Sequence, residues 1–148
     1  MPLTNLNKIA CAQSETKFSL KTDSSQLNYR TILLIDDEEM VVKITEAMLK
    51  KIGHKIFKAN SGHEGLKLFR KYQHQIDVII CDMIMPKMNG FELGHRLREI
   101  DPCVKLLLSS GSLVDEDEKD ITNRGFDSLI KKPYKLNDLS EKINKILR

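Results

Sequence analysis

The segment Thr31-Ile32-Leu33-Leu34-Ile35-Asp36-Asp37 runs through five residues without a charge and then stops on two acids. A run this short and this continuous suits a strand buried on both faces, since a half-buried strand would alternate apolar with polar. Downstream, Met40, Val41, Ile44, Met48 and Leu49 recur at three- and four-residue steps, and Gly53 stands just past Lys50 and Lys51, so the spacing predicts a helix over Glu39–Ile52. The pattern then repeats. Residues 54–59 read as a second strand, and Ser61 with Glu64 three positions on is a capping box that opens a helix through Leu66, Leu68 and Phe69. Residues 77–81 are a third buried strand, 91–100 a helix ended by Asp101-Pro102, and 104–109 a fourth strand. A weaker helix between Asp115 and Arg124 stops at Gly125, Ser128–Lys131 gives a short fifth strand, and residues 136–147 close the chain with Leu139, Ile143 and Ile146 on one helical face. Five strands, each followed by a helix, imply an α/β, doubly wound parallel sheet with helices on both sides and right-handed crossovers.

Outside this alternation the chain has a different character. Residues 1–30 are rich in Ser, Thr, Asn, Gln and Lys with no sustained period, which predicts a flexible N-terminal extension before a domain over 31–148. A Leu3, Leu6, Ala10 spacing within it would suit a short helix formed on a partner. At 148 residues the chain is long enough for one ordinary domain, and 30% charged with 41% hydrophobic residues is the balance of a soluble globular protein. No apolar run approaches the roughly 20 residues that span a bilayer, and Asn5, Asn7, Gln13 and Ser14 interrupt any signal-peptide core, so no export and no membrane association is expected. Three cysteines without a metal-ligand spacing fit neither a disulfide framework nor a zinc site and point to a reduced, cytoplasmic setting. Of the net charge of +3, residues 1–30 hold +2, so the remainder is close to neutral and direct nucleic-acid binding is not expected.

Ligands in such sheets sit at the carboxyl ends of the strands, beside the point where the winding reverses. Asp36 and Asp37 follow the first strand, Asp82 the third, Ser109 and Ser110 the fourth, and Lys132 the fifth. Any one Asp alone is most simply a strand terminator or a helix cap. Three carboxylates at one edge would raise one another's pKa unless a cation neutralised them, and an all-oxygen donor set suits magnesium. A carboxylate beside a metal, a lysine and a hydroxyl meets the requirements of phosphoryl transfer to Asp, with Asp82, on the central strand, as nucleophile.

The blocks Leu33-Leu34-Ile35-Asp36-Asp37, Asp82-Met83-Ile84-Met85-Pro86-Lys87-Met88-Asn89-Gly90, Leu108-Ser109-Ser110-Gly111 and Lys131-Lys132-Pro133-Tyr134 resemble, in order, the signature blocks of response-regulator receiver domains of two-component signalling. The resemblance runs from about Thr31 to Arg148. It implies a flavodoxin-like (βα)5 fold with strand order 2-1-3-4-5. Asp82 would then be the phosphoacceptor. Asp37, Asp82 and the Ile84 carbonyl would be direct magnesium ligands, with Asp36 acting largely through a bound water. Lys132, followed by Pro133 in what is often a cis bond, would pair with a phosphoryl oxygen. The family's hydroxyl switch residue stands 22 positions before that lysine, which selects Ser110 over Ser109. Ser110-Gly111 is similar to the receivers of hybrid histidine kinases and of some single-domain regulators. Leu129 departs from the pattern, because many receivers carry a Tyr or Phe there that swings inward on activation.

The resemblance implies a switch rather than an enzyme, loaded by a histidine kinase or a histidine phosphotransfer protein and read by a downstream protein target through the fourth helix, fifth strand and fifth helix. If the chain is whole, output is expected through protein contact, since no DNA-binding or kinase segment follows Arg148; a fragment of a longer protein is the alternative, and no oligomeric state is implied. Two other classes compete with this reading. A phosphohydrolase with an Asp nucleophile would carry a second acid two residues on, where this chain has Ile84. A receiver-like module that never takes phosphate would have no use for the full set Asp36, Asp37, Asp82, Ser110 and Lys132. The acidic run Asp115-Glu116-Asp117-Glu118 is read as a solvated helix start, and Cys81 as a buried strand residue whose apolar site keeps it a thiol.

Overall fold

Strands with no polar face need cover on both sides, and the chain supplies it. The computed structural model describes residues 29–111 and 117–148; the N-terminal extension up to residue 28, the Leu3, Leu6, Ala10 spacing, and Asp115 and Glu116 of the acidic run lie outside the described residues. Among those described, the order is β1 (Thr31–Ile35), α1 (Glu39–Ile52), β2 (Lys55–Ala59), α2 (Gly62–Tyr72), β3 (Val78–Asp82), α3 (Gly90–Ile100), β4 (Leu106–Ser110), α4 (Glu118–Asn123), β5 (Ser128–Lys131) and α5 (Leu136–Ile146). The five strands form one parallel sheet in the order β2-β1-β3-β4-β5, the flavodoxin-like arrangement expected. None of the described helices is long and apolar enough to cross a membrane.

Alternation along each strand divides the apolar residues between two clusters. Leu33, Ile35, Ile79, Cys81, Leu106 and Leu108 face Leu66, Phe69, Leu93, Leu97 and Ile121 of α2, α3 and α4. Ile32, Leu34, Val78, Ile80 and Leu107 face Val42, Leu49, Leu139 and Ile143 of α1 and α5. The uninterrupted hydrophobic runs are therefore two cores read through one strand.

Local signals set most of the boundaries. Ser61 caps α2 by accepting the Glu64 N–H at 3.1 Å, and Gly53 ends α1 at φ +109°, a left-handed conformation that glycine adopts without a Cβ penalty. Asn89 caps α3 in the same way, accepting the Glu92 N–H at 2.9 Å. The fourth strand begins at Leu106 instead of Val104 and runs to Ser110, because residues 101–104 close a turn in which the Val104 N–H reaches the Asp101 carbonyl at 3.1 Å. Helix α4 starts at Glu118, with Asp117 as its cap. Cys81 is free and fully buried, as expected from the sequence.

One clamp at the amino-terminal edge of the sheet was not anticipated. Arg98, at the end of α3, donates from Nε to the Gly125 carbonyl at 2.9 Å, from Nη1 to the carbonyls of Pro102 at 2.9 Å and Val104 at 2.7 Å, and from Nη2 to Asp127 at 3.1 Å. Asp127 in turn accepts the Leu106 N–H at 2.8 Å. The planar fork thus joins α3, the start of β4 and the turn before β5. Arg98→Ala is expected to lower the free energy of unfolding by about 2–3 kcal/mol, and Arg98→Lys to recover little of it, because an ammonium cannot serve four acceptors spread over this geometry. Urea unfolding midpoints of the two variants check this.

Candidate functional site

The site lies where the winding reverses. The chain leaves β1 toward β2 on one side, while β3 lies on the other, so the carboxyl ends of β1 and β3 border a crevice. Asp36 stands at the end of β1 with its N–H on the Ala59 carbonyl at 3.1 Å. Its Oδ1 accepts the Glu38 N–H at 2.9 Å and its Oδ2 meets Lys132 Nζ at 2.8 Å. Asp82 ends β3, and its Oδ1 accepts from the same Nζ at 3.2 Å. Asp36 and Asp82 are buried and Asp37 is exposed, and each of the three offers a carboxylate oxygen within 4.8 Å of the others. The structure therefore brings together Asp36, Asp37, Asp82 and Lys132, from three separate strand ends.

The electrostatics are unbalanced in a way that bears on chemistry. Burial first, and then the Asp36 charge, push the Asp82 carboxyl up to about 6, against the opposing pull of Lys132. Burial works against the charge on Lys132, but hydrogen bonding and attraction to Asp36, followed by Asp82, more than offset it and hold the ammonium above the usual lysine range. One lysine thus meets the two buried carboxylates, and Glu38, at 3.6 Å from the same Nζ, adds a third at the rim, with Asp37 close by in the same cluster. The donor atoms are all oxygen, the opening at Asp37 is accessible, and the charge excess is negative. These residues fit a hard divalent cation.

The hydroxyl side is ordered by β4 and β5. Ser110 is buried at the end of β4, and its carbonyl accepts the Lys132 N–H at 2.7 Å. Ser109, opposite Asp82 in the β3–β4 register, shares a 2.7 Å hydrogen bond with the Tyr134 hydroxyl. The Lys132–Pro133 peptide is cis. Leu129 is buried, an aliphatic side chain where an aromatic was noted as the usual occupant. Ile84, two residues past Asp82, is 66% exposed. The loop between them and α3 is held close by Gly90, whose N–H reaches the Met83 carbonyl at 2.8 Å. A Cβ at Gly90 would stand 2.5 Å from the Asp82 carbonyl, so the absence of a side chain there is what lets the loop fold back under the acid. Burial, followed by the Asp82 and Asp36 charges, pushes the Cys81 thiol up, which keeps it protonated.

Two participants were missed from the sequence. Glu38 was visible only as part of the run Asp36-Asp37-Glu38-Glu39, and its reach to Lys132 depends on the loop. Tyr134 was quoted for its place after Lys132 and Pro133, but a hydroxyl contact 25 positions back along the chain leaves no local signal.

Comparison with known proteins places these residues in context. The family model described as response regulator receiver domain matches residues 32–144. The chain is 32% identical over 109 residues to the autoinducer 1 sensor kinase/phosphatase LuxN of Vibrio campbellii, covering 74% of this chain and 12% of that protein. It is 33% identical over 120 residues to the probable transcriptional regulator ycf27 of Guillardia theta, covering 79% of this chain and 45% of that one. The chain thus spans less than half the length of either relative. Among solved structures, a response regulator receiver domain protein from Clostridium thermocellum superposes with a TM-score of 0.75 at 30% identity, covering 80% of this chain and 94% of the other.

The raised Asp82 pKa sets a pH dependence. Below the unfolded value of 3.8 the group is neutral in both states and contributes nothing. As pH rises toward about 6 the unfolded chain ionises first, so stability falls, and above that value the full penalty stands. Asp82→Asn is therefore expected to stabilise the protein by about 1–3 kcal/mol at pH 8 in chelator-containing buffer, and by much less at pH 4. Paired denaturant titrations at the two pH values read the difference directly.

Proposed function

We propose that this chain, which belongs to the response regulator receiver domain family, is a phosphorylation-dependent signalling switch that accepts a phosphoryl group on Asp82. The observation that carries the reading is the single Lys132 ammonium spanning the buried carboxylates of Asp36 and Asp82. A structural terminator would not be buried among like charges at this cost.

The donor is a phosphohistidine of a histidine kinase or a histidine phosphotransfer protein. An oxygen of Asp82 attacks phosphorus, the P–N bond breaks, and its electron pair leaves with the imidazole. Asp37 and Asp82 with the Ile84 carbonyl, and Asp36 less directly, would hold Mg2+, which would supply positive charge beside the phosphoryl oxygens and lower the cost of one anion approaching another. Lys132 shifts its contact from the carboxylates to a phosphoryl oxygen, which exchanges one anionic partner for another. Ser110 donates its hydroxyl to a second phosphoryl oxygen, which ties the end of β4 to the phosphorylated acid. Ile84, at the place where an Asp-based phosphohydrolase would need an acid, offers no titratable group, which favours a switch over a turnover enzyme.

Output passes through protein contact at α4, β5 and α5, with no direct nucleic-acid binding and in the cytoplasm. These three elements are already joined: Glu118 of α4 accepts from Ser128 Oγ of β5 at 2.7 Å and from Lys142 Nζ of α5 at 3.0 Å. A change in the position of α4 is therefore felt by both neighbours, while Leu129 leaves the aromatic part of the usual response without a side chain to perform it.

Intact-mass spectrometry tests the reading. After incubation with Mg2+ and acetyl phosphate or phosphoramidate, the wild type is expected to gain the mass of one phosphoryl group. Asp82→Asn, and wild type with the metal chelated, are expected to gain none. Equal uptake by Asp82→Asn would remove Asp82 from its role.

A further inference from the structure

Three buried hydroxyls meet on the face of the sheet covered by α1 and α5. Tyr134 OH lies 2.7 Å from Ser109 Oγ, and Thr45, buried in the middle of α1, interacts with the same tyrosine. The surroundings are apolar: Leu34, Ile80, Leu107, Leu139 and Ile143 share this cluster with the tyrosine ring. A hydrophobic side chain of similar size at each position would pack here without the cost of burying polar groups, so the hydroxyls call for a reason beyond packing.

Their placement offers one. Each belongs to a piece of backbone that also carries part of the site: α1 begins just past Asp36 and Asp37, β4 ends on Ser110, and Tyr134 lies two residues after Lys132. Ser109 is opposite Asp82 in the strand register, and alternation sets both on the same face as Ile80 and Leu107. The segment bearing Lys132 is thus attached to β4 twice, at consecutive residues. The Lys132 N–H donates to the Ser110 carbonyl at 2.7 Å, and Tyr134 meets the Ser109 hydroxyl. Lysine has a long, freely rotating stem, so the direction of its ammonium toward Asp36 and Asp82 depends on how firmly its own backbone is held.

We infer that Tyr134 is a positioning residue for phosphoryl uptake: its hydroxyl, bonded to Ser109, anchors the Lys132 segment to the strand that carries Ser110. The inference rests on the phosphoacceptor reading given above. It assigns to Tyr134 no contact with the phosphoryl group, and it separates Ser109, which holds the loop, from Ser110, which meets the ligand.

The test compares wild type, Tyr134→Phe, Ser109→Ala and the double variant. Tyr134→Phe keeps the ring and removes only the hydroxyl; Ser109→Ala breaks the same bond without touching the ring, so the test survives if one of them folds poorly. Two quantities are read for each: Mg2+ affinity by isothermal titration calorimetry, and the maximal rate of phosphorylation by phosphoramidate at saturating metal. Because the carboxylates come from other segments, the affinity is expected to stay at the wild-type value. The maximal rate is expected to fall about three- to tenfold, the kinetic equivalent of one neutral hydrogen bond. The double variant is expected to be no slower than the slower single one, because both remove one interaction, and Ser109→Thr, which restores a hydroxyl, is expected to recover the rate. Wild-type rates in both single variants, with only a lowered melting temperature, would reduce the trio to a packing feature and overturn the inference. A parallel fall in metal affinity and rate would overturn it too, as general damage to the site. Absence of uptake by the wild type itself would remove the phosphoacceptor reading and the inference with it, an outcome distinct from either of the others.

Discussion

Three carboxylates held at one sheet edge against a single ammonium form the constraint around which this molecule is arranged. Asp36 and Asp82 are buried and share Lys132, so neither has an ammonium to itself and Asp82 is left with its proton affinity raised. Such an arrangement works against the folded state and persists only because the surrounding structure holds it. The parallel sheet supplies that hold: both acids end strands that are hydrogen-bonded on both sides and sandwiched between two apolar cores. The excess negative charge that folding alone leaves uncompensated is what a divalent cation and a phosphoryl group with its own cationic partners would use.

The connections on either side of the acids differ in how they are secured. Beneath Asp82, Gly90 lets the loop before α3 close against the strand end. Beside it, the Lys132 segment is joined to β4 through the Ser110 carbonyl and the Ser109–Tyr134 pair. Farther out, Glu118 links α4 to β5 and α5 through hydrogen bonds that are partly exposed, and such bonds yield more readily than core packing. Firm contacts near the acids and weaker ones at the α4, β5 and α5 surface suit a molecule in which a local change of charge is read some distance away.

Much of this was legible in the sequence because parallel strands buried on both faces leave a strong mark. The run Thr31–Ile35 and its later counterparts gave strand positions, the alternation with helical periods gave the topology, and the residues at strand ends gave the site. Asp36, Asp37, Asp82 and Lys132 all meet there because strand ends are fixed once the strands are. Contacts made by side chains across the fold were not legible. No local pattern singles out Arg98, yet it gathers acceptors from two segments distant from each other in sequence. Tyr134 and Ser109 showed nothing of their pairing. The shift of β4 from Val104 to Leu106 came from the turn after Pro102, where an apolar residue continues the pattern of the strand but its backbone is already engaged.

The central claim is that Asp82 itself becomes an acyl phosphate, and reductive trapping tests it at the level of the residue. Borohydride reduces an aspartyl phosphate to homoserine, while leaving free carboxylates and phosphates on serine or histidine unreduced. Wild-type protein treated with Mg2+ and phosphoramidate, trapped, digested and sequenced by tandem mass spectrometry should carry homoserine at position 82, with Asp36 and Asp37 unchanged. Homoserine at Asp36 or Asp37, or phosphate retained on a side chain that borohydride does not reduce, would contradict the account.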